Sequence, residues 1–201
     1  MKKTKNKWLS DMVSTAILTA IVILLQVFVS IPLGPFTVTL TLVPIIIGAI
    51  MYGPKTGTFL GFVFGVTVAI QVVTGAAGFL SFKMFEMHPA LTVVLCILKG
   101  AAAGLVSGIV YKLFSKALPN IAAVTLGAVI APLVNTGIFV AGLFFFYLPL
   151  MDEFAAASEF ASTVAFIFIG VVGLNFVVEF AINVALIPVI HRLLRVLKIT
   201  K

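Results

Sequence analysis

The chain has 201 residues, of which 62% are hydrophobic and only 9% are charged. A soluble domain carries about 25% charged residues, so this chain cannot cover a water-facing surface, and it has no room for a separate soluble catalytic domain. The net charge of +7 could suggest a nucleic-acid partner, but the basic residues cluster at the chain ends and in two short loops. That distribution is typical of membrane topology signals, and no nucleic-acid partner is expected.

Apolar segments of the length that crosses a lipid bilayer recur along the whole chain. The first follows a basic tail, is too long for a signal peptide and precedes no cleavage site, so we interpret it as a retained helix. We predict an all-α membrane protein with six transmembrane helices, both termini cytoplasmic, in a single domain over residues 1–201. The predicted spans are approximately 8–30, 37–51, 56–74, 89–113, 120–148 and 161–190.

The basic residues predict which way this bundle lies in the membrane. With the N-terminus inside, eleven of the thirteen Lys and Arg residues lie on the inner side, the other two being Lys83 and Lys99. Lys83 is the one basic residue of the outer loops, which carry Glu86, Asp152 and Glu153. This arrangement satisfies the positive-inside rule at every loop.

Two stripes of glycine at four-residue spacing occur in the third and fourth spans. This spacing places small residues on one helical face, where two backbones can approach closely. The stripes therefore predict close packing inside the bundle or, alternatively, a sliding surface for another subunit. Their members are Gly57, Gly61 and Gly65, and Gly100, Gly104 and Gly108.

Two charged residues lie deep within predicted spans, where a charge is costly and is a candidate for function. Lys99 is about 15 Å into the fourth span at 1.5 Å per residue, and Glu179 lies deeper in the sixth. Either the two pair and lock their spans together, or Lys99 is the counter-charge for an anionic ligand. For Glu179 we favour a structural role.

Uncharged polar residues occur near the same depth. Asn175, Glu179 and Asn183 are four residues apart and form one stripe of the sixth span, in which Asn183 is also assigned a structural role. Asn135 and Thr136 lie midway along the fifth span. With the lysine of the fourth span they predict a polar spot inside an otherwise apolar pocket, the usual composition of a ligand site.

The outer loops supply further candidates for ligand contact. The predicted linker 75–88 carries Phe82, Phe85 and His88, which predict either an interfacial aromatic belt or a lid over an outward-facing pocket. Pro35, in the loop after the first span, is included among the ligand-contacting candidates.

Enzyme chemistry has no support in the sequence. The phosphate-binding G-x-x-x-x-G-K-[ST] motif is absent, so the chain is not expected to hydrolyse ATP itself. There is no cluster with metal-ligand spacing, and Ser81 and His88 lack the partners of a nucleophilic site. We predict a protein that is not an enzyme and binds no cofactor or metal.

Several short patterns, in this order, resemble the substrate-binding S components of energy-coupling factor (ECF) vitamin transporters. The resemblance covers essentially the whole chain and is greatest to the pantothenate-type branch. It is carried by Ala16 and Ala20 after the basic tail, the outer loop 31–35, the segment 46–57, Gly104, Gly108 and Tyr111, Asn135 and Thr136, and Asn175 and Glu179.

The resemblance implies a binding subunit that relies on the ATP of other proteins. Such an S component captures a vitamin from outside with spans four to six and the outer loops. It then docks, here through Ala16 and Ala20, onto a transmembrane coupling (T) component driven by two ATPase subunits. Lys99, Asn135 and Asn175 would suit the carboxylate, hydroxyls and amide of pantothenate. The expected location is the bacterial cytoplasmic membrane, with multiple passes.

Three alternatives remain open on the sequence. The chain could be an S component for another vitamin, such as riboflavin or folate. It could be an ion-coupled secondary transporter that uses Glu179 as a proton relay and takes up its substrate without partners. It could also be a structural membrane subunit that binds no small ligand.

Overall fold

The fold was analysed in a computed structural model that describes residues 2–29, 31–33, 36–38 and 40–196, with side chains described for 8–29, 40–173 and 175–193. The helices are α1 Lys2–Phe28, α2 Leu42–Tyr52, α3 Pro54–Val73, α4 Phe79–Met87, α5 Pro89–Phe114, α6 Asn120–Phe146, α7 Leu148–Ala156, α8 Thr163–Ala165, α9 Gly173–Ala185 and α10 Ile187–Val196. A π-helix, Phe166–Val171, joins α8 to α9, and two strands, β1 Ile31–Leu33 and β2 Phe36–Val38, lie between α1 and α2.

Within the part of the chain that the structure describes, five segments are long and apolar enough to cross a membrane. They are Trp8–Phe28, Pro54–Val73, Pro89–Phe114, Asn120–Phe146 and Thr163–Leu193. Each corresponds to one predicted span, so a multi-pass helical membrane protein is confirmed. Helix α2 has 11 residues, about 16 Å at 1.5 Å per residue, which is shorter than the hydrocarbon core. A sixth span and cytoplasmic termini therefore stay predictions.

The region predicted to begin the second span is not helical at its start. Residues Phe36–Val38 pair with Ile31–Leu33 in an antiparallel hairpin, and helix α2 begins only at Leu42. Pro44 thus lies in the first turn of the helix, where its missing N–H interrupts no hydrogen bond. The all-α prediction missed this hairpin. Strand β2 lies beside α4 and α9.

Two segments predicted to be loops are short helices. Helix α4 lies in the predicted linker 75–88 and follows Gly78, whose φ of +99° suits a residue without a side chain. Helix α7 occupies most of the predicted loop 149–158, with Pro149 in its first turn. Each of these helices has nine residues, which is too few for hydrophobic periodicity to reveal a helix.

The glycine stripes of α3 and α5 pack against each other. A Cβ atom added to Gly57 would overlap the carbonyl oxygen of Gly104, and one added to Gly61 would overlap that of Gly100. The reciprocal additions overlap in the same way. This backbone-to-backbone contact confirms the interpretation of the stripes as close packing inside the bundle.

The last predicted span, 161–190, is not one regular helix. Within the π-helix, the wider turn lets the N–H of Val172 donate to the carbonyl oxygen of Ile167 at 2.9 Å, five residues earlier. Regular helix resumes at Gly173 and is interrupted again at Leu186. Residues that follow the π-helix line part of a cavity inside the bundle.

Apolar side chains form three buried clusters. The first joins α1, α2, α3, α5, α6 and α10, the second joins α4 to α7 with the π-helix, and the third is a small group on α3, α5 and the turn before α4. Representative members are Val22, Ile45, Phe64 and Val124 of the first, Leu80, Tyr147, Met151 and Ile167 of the second, and Ala69, Val72, Ala77 and Cys96 of the third.

Candidate functional site

A cavity lies where these three clusters meet. Its walls surround about 860 Å³ of space, a volume that includes open solvent. Most of its wall is apolar, and its polar residues come from five helices, α1, α4, α5, α6 and α9. The lining residues are Gln26, Phe64, Val68, Val72, Ala77, Ser81, Met84, Thr92, Leu95, Cys96, Lys99, Asn135, Thr136, Phe139, Val171, Val172, Asn175, Phe176 and Glu179.

The predicted polar spot is part of this wall. Lys99 of α5, Asn135 and Thr136 of α6, and Asn175 of α9 all line the cavity. The Nζ atom of Lys99 lies 4.8 Å from the centroid of the Phe139 ring, a distance at which a cation is attracted to the face of an aromatic ring. Side chains far apart in the sequence thus converge on one space.

Two side-chain carbonyl groups at the cavity have no hydrogen-bond partner among the described residues. Both Asn135 Oδ1 and Asn175 Oδ1 are buried acceptors without a donor. The orientation of Asn175 follows from its Nδ2, which donates to the carbonyl oxygen of Val171 at 3.3 Å. A buried unpaired acceptor costs about 1–3 kcal/mol. A ligand with N–H or O–H groups would supply the missing donors.

Glu179, which we predicted to be structural, also lines the cavity. Asn183, one turn further along α9, is buried away from the cavity and donates through Nδ2 to the backbone oxygen of Glu179 at 2.7 Å. Of these two residues, Glu179 is the one placed where a ligand could contact it.

The aromatic candidates of the outer segment do not line the cavity. Phe85 packs against the third apolar cluster, and Phe82 is half-buried on α4. The His88 side chain is exposed, with its ring centroid 5.8 Å from that of Tyr147. Their predicted contact with ligand stays a prediction, and Pro35 lies outside the described residues.

Sequence reasoning missed Thr92, a cavity residue near the start of α5 that contacts the end of α4 and the junction of α6 and α7. Its Oγ1 atom lies 2.9 Å from the carbonyl oxygens of both Met84 and His88, and 2.7 Å from the Tyr147 hydroxyl. Burial raises the pKa of Tyr147, although its bond to Thr92 acts in the opposite direction. The phenol therefore remains neutral at physiological pH and can donate a hydrogen bond.

Gln26 of α1 and Ser81 of α4 were also missed. Both are buried and both line the cavity. The sequence did contain a signal for Gln26. It is a polar residue within an apolar span, and a polar side chain there requires a partner. Nothing in the local sequence distinguishes Ser81 from a serine at the surface.

Helix α1 contributes little else to the interior. Ala16 and Ala20 are exposed on the side of the helix that faces away from the bundle, along with Val13, Ile17 and Leu24. This position is compatible with the predicted docking role of the two alanines, and that role stays a prediction.

Comparison with known proteins gives one family and one similar fold. The model of the family described as ECF transporter, substrate-specific component matches residues 10–191. Among solved structures, ThiT from Listeria monocytogenes has a TM-score of 0.62 with 19% sequence identity, over 92% of this chain and 98% of that chain. At this identity the likeness is one of fold. None of the curated proteins matches the chain.

Proposed function

We propose that this protein, which belongs to the family of ECF transporter substrate-specific components, captures its vitamin in the cavity that contains Lys99. Members of this family bind a small vitamin and partner with T and ATPase subunits, and they are transport proteins without enzymatic activity.

The observation that carries the proposal is the convergence of polar groups inside an apolar cavity. Lys99, Asn135 and Asn175 come from three different helices and meet at one space among the membrane-crossing segments. Placing a buried amide, a partly buried amide and a partly buried lysine there opposes folding unless their polar groups find partners. A ligand that pairs with these groups would offset the free-energy cost of placing them in an apolar cavity.

Pantothenate is the vitamin that we propose for this cavity. Its carboxylate would pair with the Lys99 ammonium, and its two hydroxyls and amide N–H would supply donors to the open acceptors Asn135 Oδ1 and Asn175 Oδ1. Riboflavin and folate also carry suitable donors and are the alternatives within the same family.

Capture from outside follows from the predicted topology. The cavity is lined by the C-terminal part of α3, by α4 and by the N-terminal part of α5, which all belong to the predicted outer half. Docking would use the exposed alanine face of α1, and the energy would come from ATP hydrolysed by the two partner ATPases.

Identification of the bound molecule tests the proposal most directly. The purified protein is extracted, its co-purifying small molecules are identified by mass spectrometry, and binding is measured by calorimetry with pantothenate, riboflavin, folate and thiamine. We expect pantothenate to co-purify and to bind with the highest affinity. Preference for another vitamin would overturn only the substrate assignment, whereas no binding across the panel would overturn the proposed function.

One observation favours a second candidate, an ion-coupled transporter. Glu179 lines the cavity, where a carboxylate could exchange a proton during transport. This function requires uptake into vesicles that contain this chain alone, abolished by a protonophore and indifferent to ATP. Uptake that needs the partner subunits and ATP would exclude it.

A further inference from the structure

Helix α1 is anchored to the bundle at two buried positions. Among residues 8–29, all of whose side chains are described, only Val22 and Gln26 are buried. Val22 belongs to the first apolar cluster, whereas Gln26 brings an amide into the interior. Since an unpaired amide is costly there, the partners of Gln26 determine how firmly this helix is held.

Those partners come from two other segments. Gln26 Nε2 donates to Gln71 Oε1 at 2.6 Å, and Gln71 Nε2 donates to the backbone oxygen of Gln26 at 2.9 Å. The hydroxyl of Thr41, directly before α2, donates to Gln26 Oε1 at 3.1 Å. The reciprocal glutamine pair therefore joins α1 to α3, and Thr41 adds a link to the start of α2.

The same glutamine side chain lines the cavity. Gln26 is the one residue of α1 in the lining described above, which also includes Val68 and Val72 of α3. Gln71, which holds Gln26 in place, does not line the cavity. A molecule bound in the cavity would thus contact Gln26 without contacting its main partner.

Gln26 and the exposed alanines occupy different faces of one continuous helix. Gln26 is six residues beyond Ala20, which corresponds to about 9 Å along the helix axis and about 120° around it. One face of α1 therefore reaches the cavity while another presents Ala16 and Ala20 outward. A shift imposed at Gln26 would move both alanines.

We propose that Gln26 is a ligand-contacting residue on the docking helix, and that cavity occupancy stabilises the position of α1 through the Gln26–Gln71 pair. This inference rests on the proposed function, since it requires a vitamin in the cavity. It assigns a binding role to α1 that the predicted site, built from spans four to six, did not include. Gln71 acts as a positioning residue, because it holds Gln26 and does not touch the cavity.

The test combines ligand affinity with amide hydrogen exchange of the end of α1, residues 20–29. The variants are Gln26→Leu, Gln71→Leu and the double variant, which removes both amides so that neither is left unpaired and folding is preserved. The control is Thr19→Val, because the Thr19 hydroxyl bonds only to the Thr15 carbonyl of its own helix and does not line the cavity. Pantothenate is the probe, replaced in turn by riboflavin, folate and thiamine if it leaves the wild type unchanged.

We expect the ligand to slow exchange at residues 20–29 in the wild type and in the control, whose affinities should agree within about twofold. Gln26→Leu and the double variant should bind about tenfold more weakly or worse, the loss expected for one buried hydrogen bond. Gln71→Leu should retain more affinity yet lose the ligand-dependent protection of α1. That difference separates positioning from direct contact.

Failure of the proposed function and failure of the Gln26 inference would give different experimental results. If no vitamin of the panel binds the wild type, the proposed function is overturned and this inference with it. If the wild type binds but Gln26→Leu binds equally well, the ligand contact is overturned while the family function stands. Ligand protection of α1 that survives in Gln71→Leu would overturn the coupling through the glutamine pair.

Discussion

Among the residues that line the cavity, Lys99 has the greatest consequence for the choice of ligand. Its ammonium lies over the Phe139 ring at 4.8 Å, so its orientation is partly set before any ligand arrives. Asn135 and Asn175 add two acceptors without donors. A lysine beside two side-chain carbonyl groups that lack donors favours a ligand with one anionic end and several N–H or O–H groups.

Replacing Lys99 tests the charge of that ligand. Lys99→Met keeps most of the volume but removes the ammonium, so binding of pantothenate should weaken by about 10- to 100-fold, as expected for loss of a charge-assisted contact of about 1.5–3 kcal/mol. The measurement is isothermal titration calorimetry. Lys83→Met is the matched control, because Lys83 is exposed and pairs with Glu86. Equal losses in both variants would contradict the assignment.

Asn135 gives a prediction in which stability and binding change in opposite directions. Asn135→Leu removes a buried acceptor that has no partner, so the ligand-free protein should become more stable by about 1 kcal/mol. Vitamin affinity should fall at the same time, because the ligand loses its acceptor. Thermal unfolding with and without the vitamin measures both effects. A variant that is destabilised without ligand would show that Asn135 serves the fold.

At the scale of elements, the rigid part of the molecule is the α3–α5 pair. The glycines bring the two backbones together so closely that a single methyl group would overlap a carbonyl oxygen. Because α3 supplies Phe64, Val68 and Val72 to the cavity and α5 supplies Lys99, this contact also fixes one side of the site. The other side depends on the interrupted helix that contains the π-helix and α9.

Gly61→Ala tests that contact. The added Cβ would lie 2.6 Å from the carbonyl carbon of Gly100 and 3.1 Å from the Cα atom of Ala101, so the helices must separate. We expect a loss of about 1–3 kcal/mol, measured as a lower unfolding temperature in detergent. Gly137→Ala on α6 is the control, since a Cβ there meets nothing within 4 Å and alanine favours helix by up to about 1 kcal/mol. Similar destabilisation of both variants would argue against the contact.

At the scale of the whole molecule, the proposed binding and docking functions lie on two different surfaces. The cavity lies inside the bundle, whereas α1 turns Ala16 and Ala20 away from it. A family whose members work with T and ATPase subunits needs such a second surface. Separate surfaces imply that transport can be lost while binding is kept.

Ala16→Trp should produce that separation. The bulky side chain would prevent close approach of a partner helix at a small-residue face, so ATP-dependent uptake in vesicles with the partner subunits should fall at least tenfold. Vitamin affinity of the isolated protein should stay within about twofold. Ala141→Trp, at an exposed alanine of α6, should preserve both activities. A loss of binding in Ala16→Trp would contradict the docking role.

The sequence by itself determined the class of protein, five of its spans, the family and four of the cavity residues. Lengths of apolar runs and charges buried within them are local properties, so they can be identified without knowing how the helices pack. This is why Lys99, Asn135, Thr136 and Asn175 were found together before the cavity was seen.

Only the tertiary structure decided which other helices complete the site. Gln26 and Gln71 are 45 residues apart, and whether their amides meet depends on the rotation of α1 against α3, which no local pattern encodes. The same rotations place Glu179 on the cavity wall and leave Phe82, Phe85 and His88 outside it. The cavity reaches from α1 to α9 because helix packing is non-local, and α1, the proposed docking helix, thereby supplies Gln26 to the wall of the proposed site.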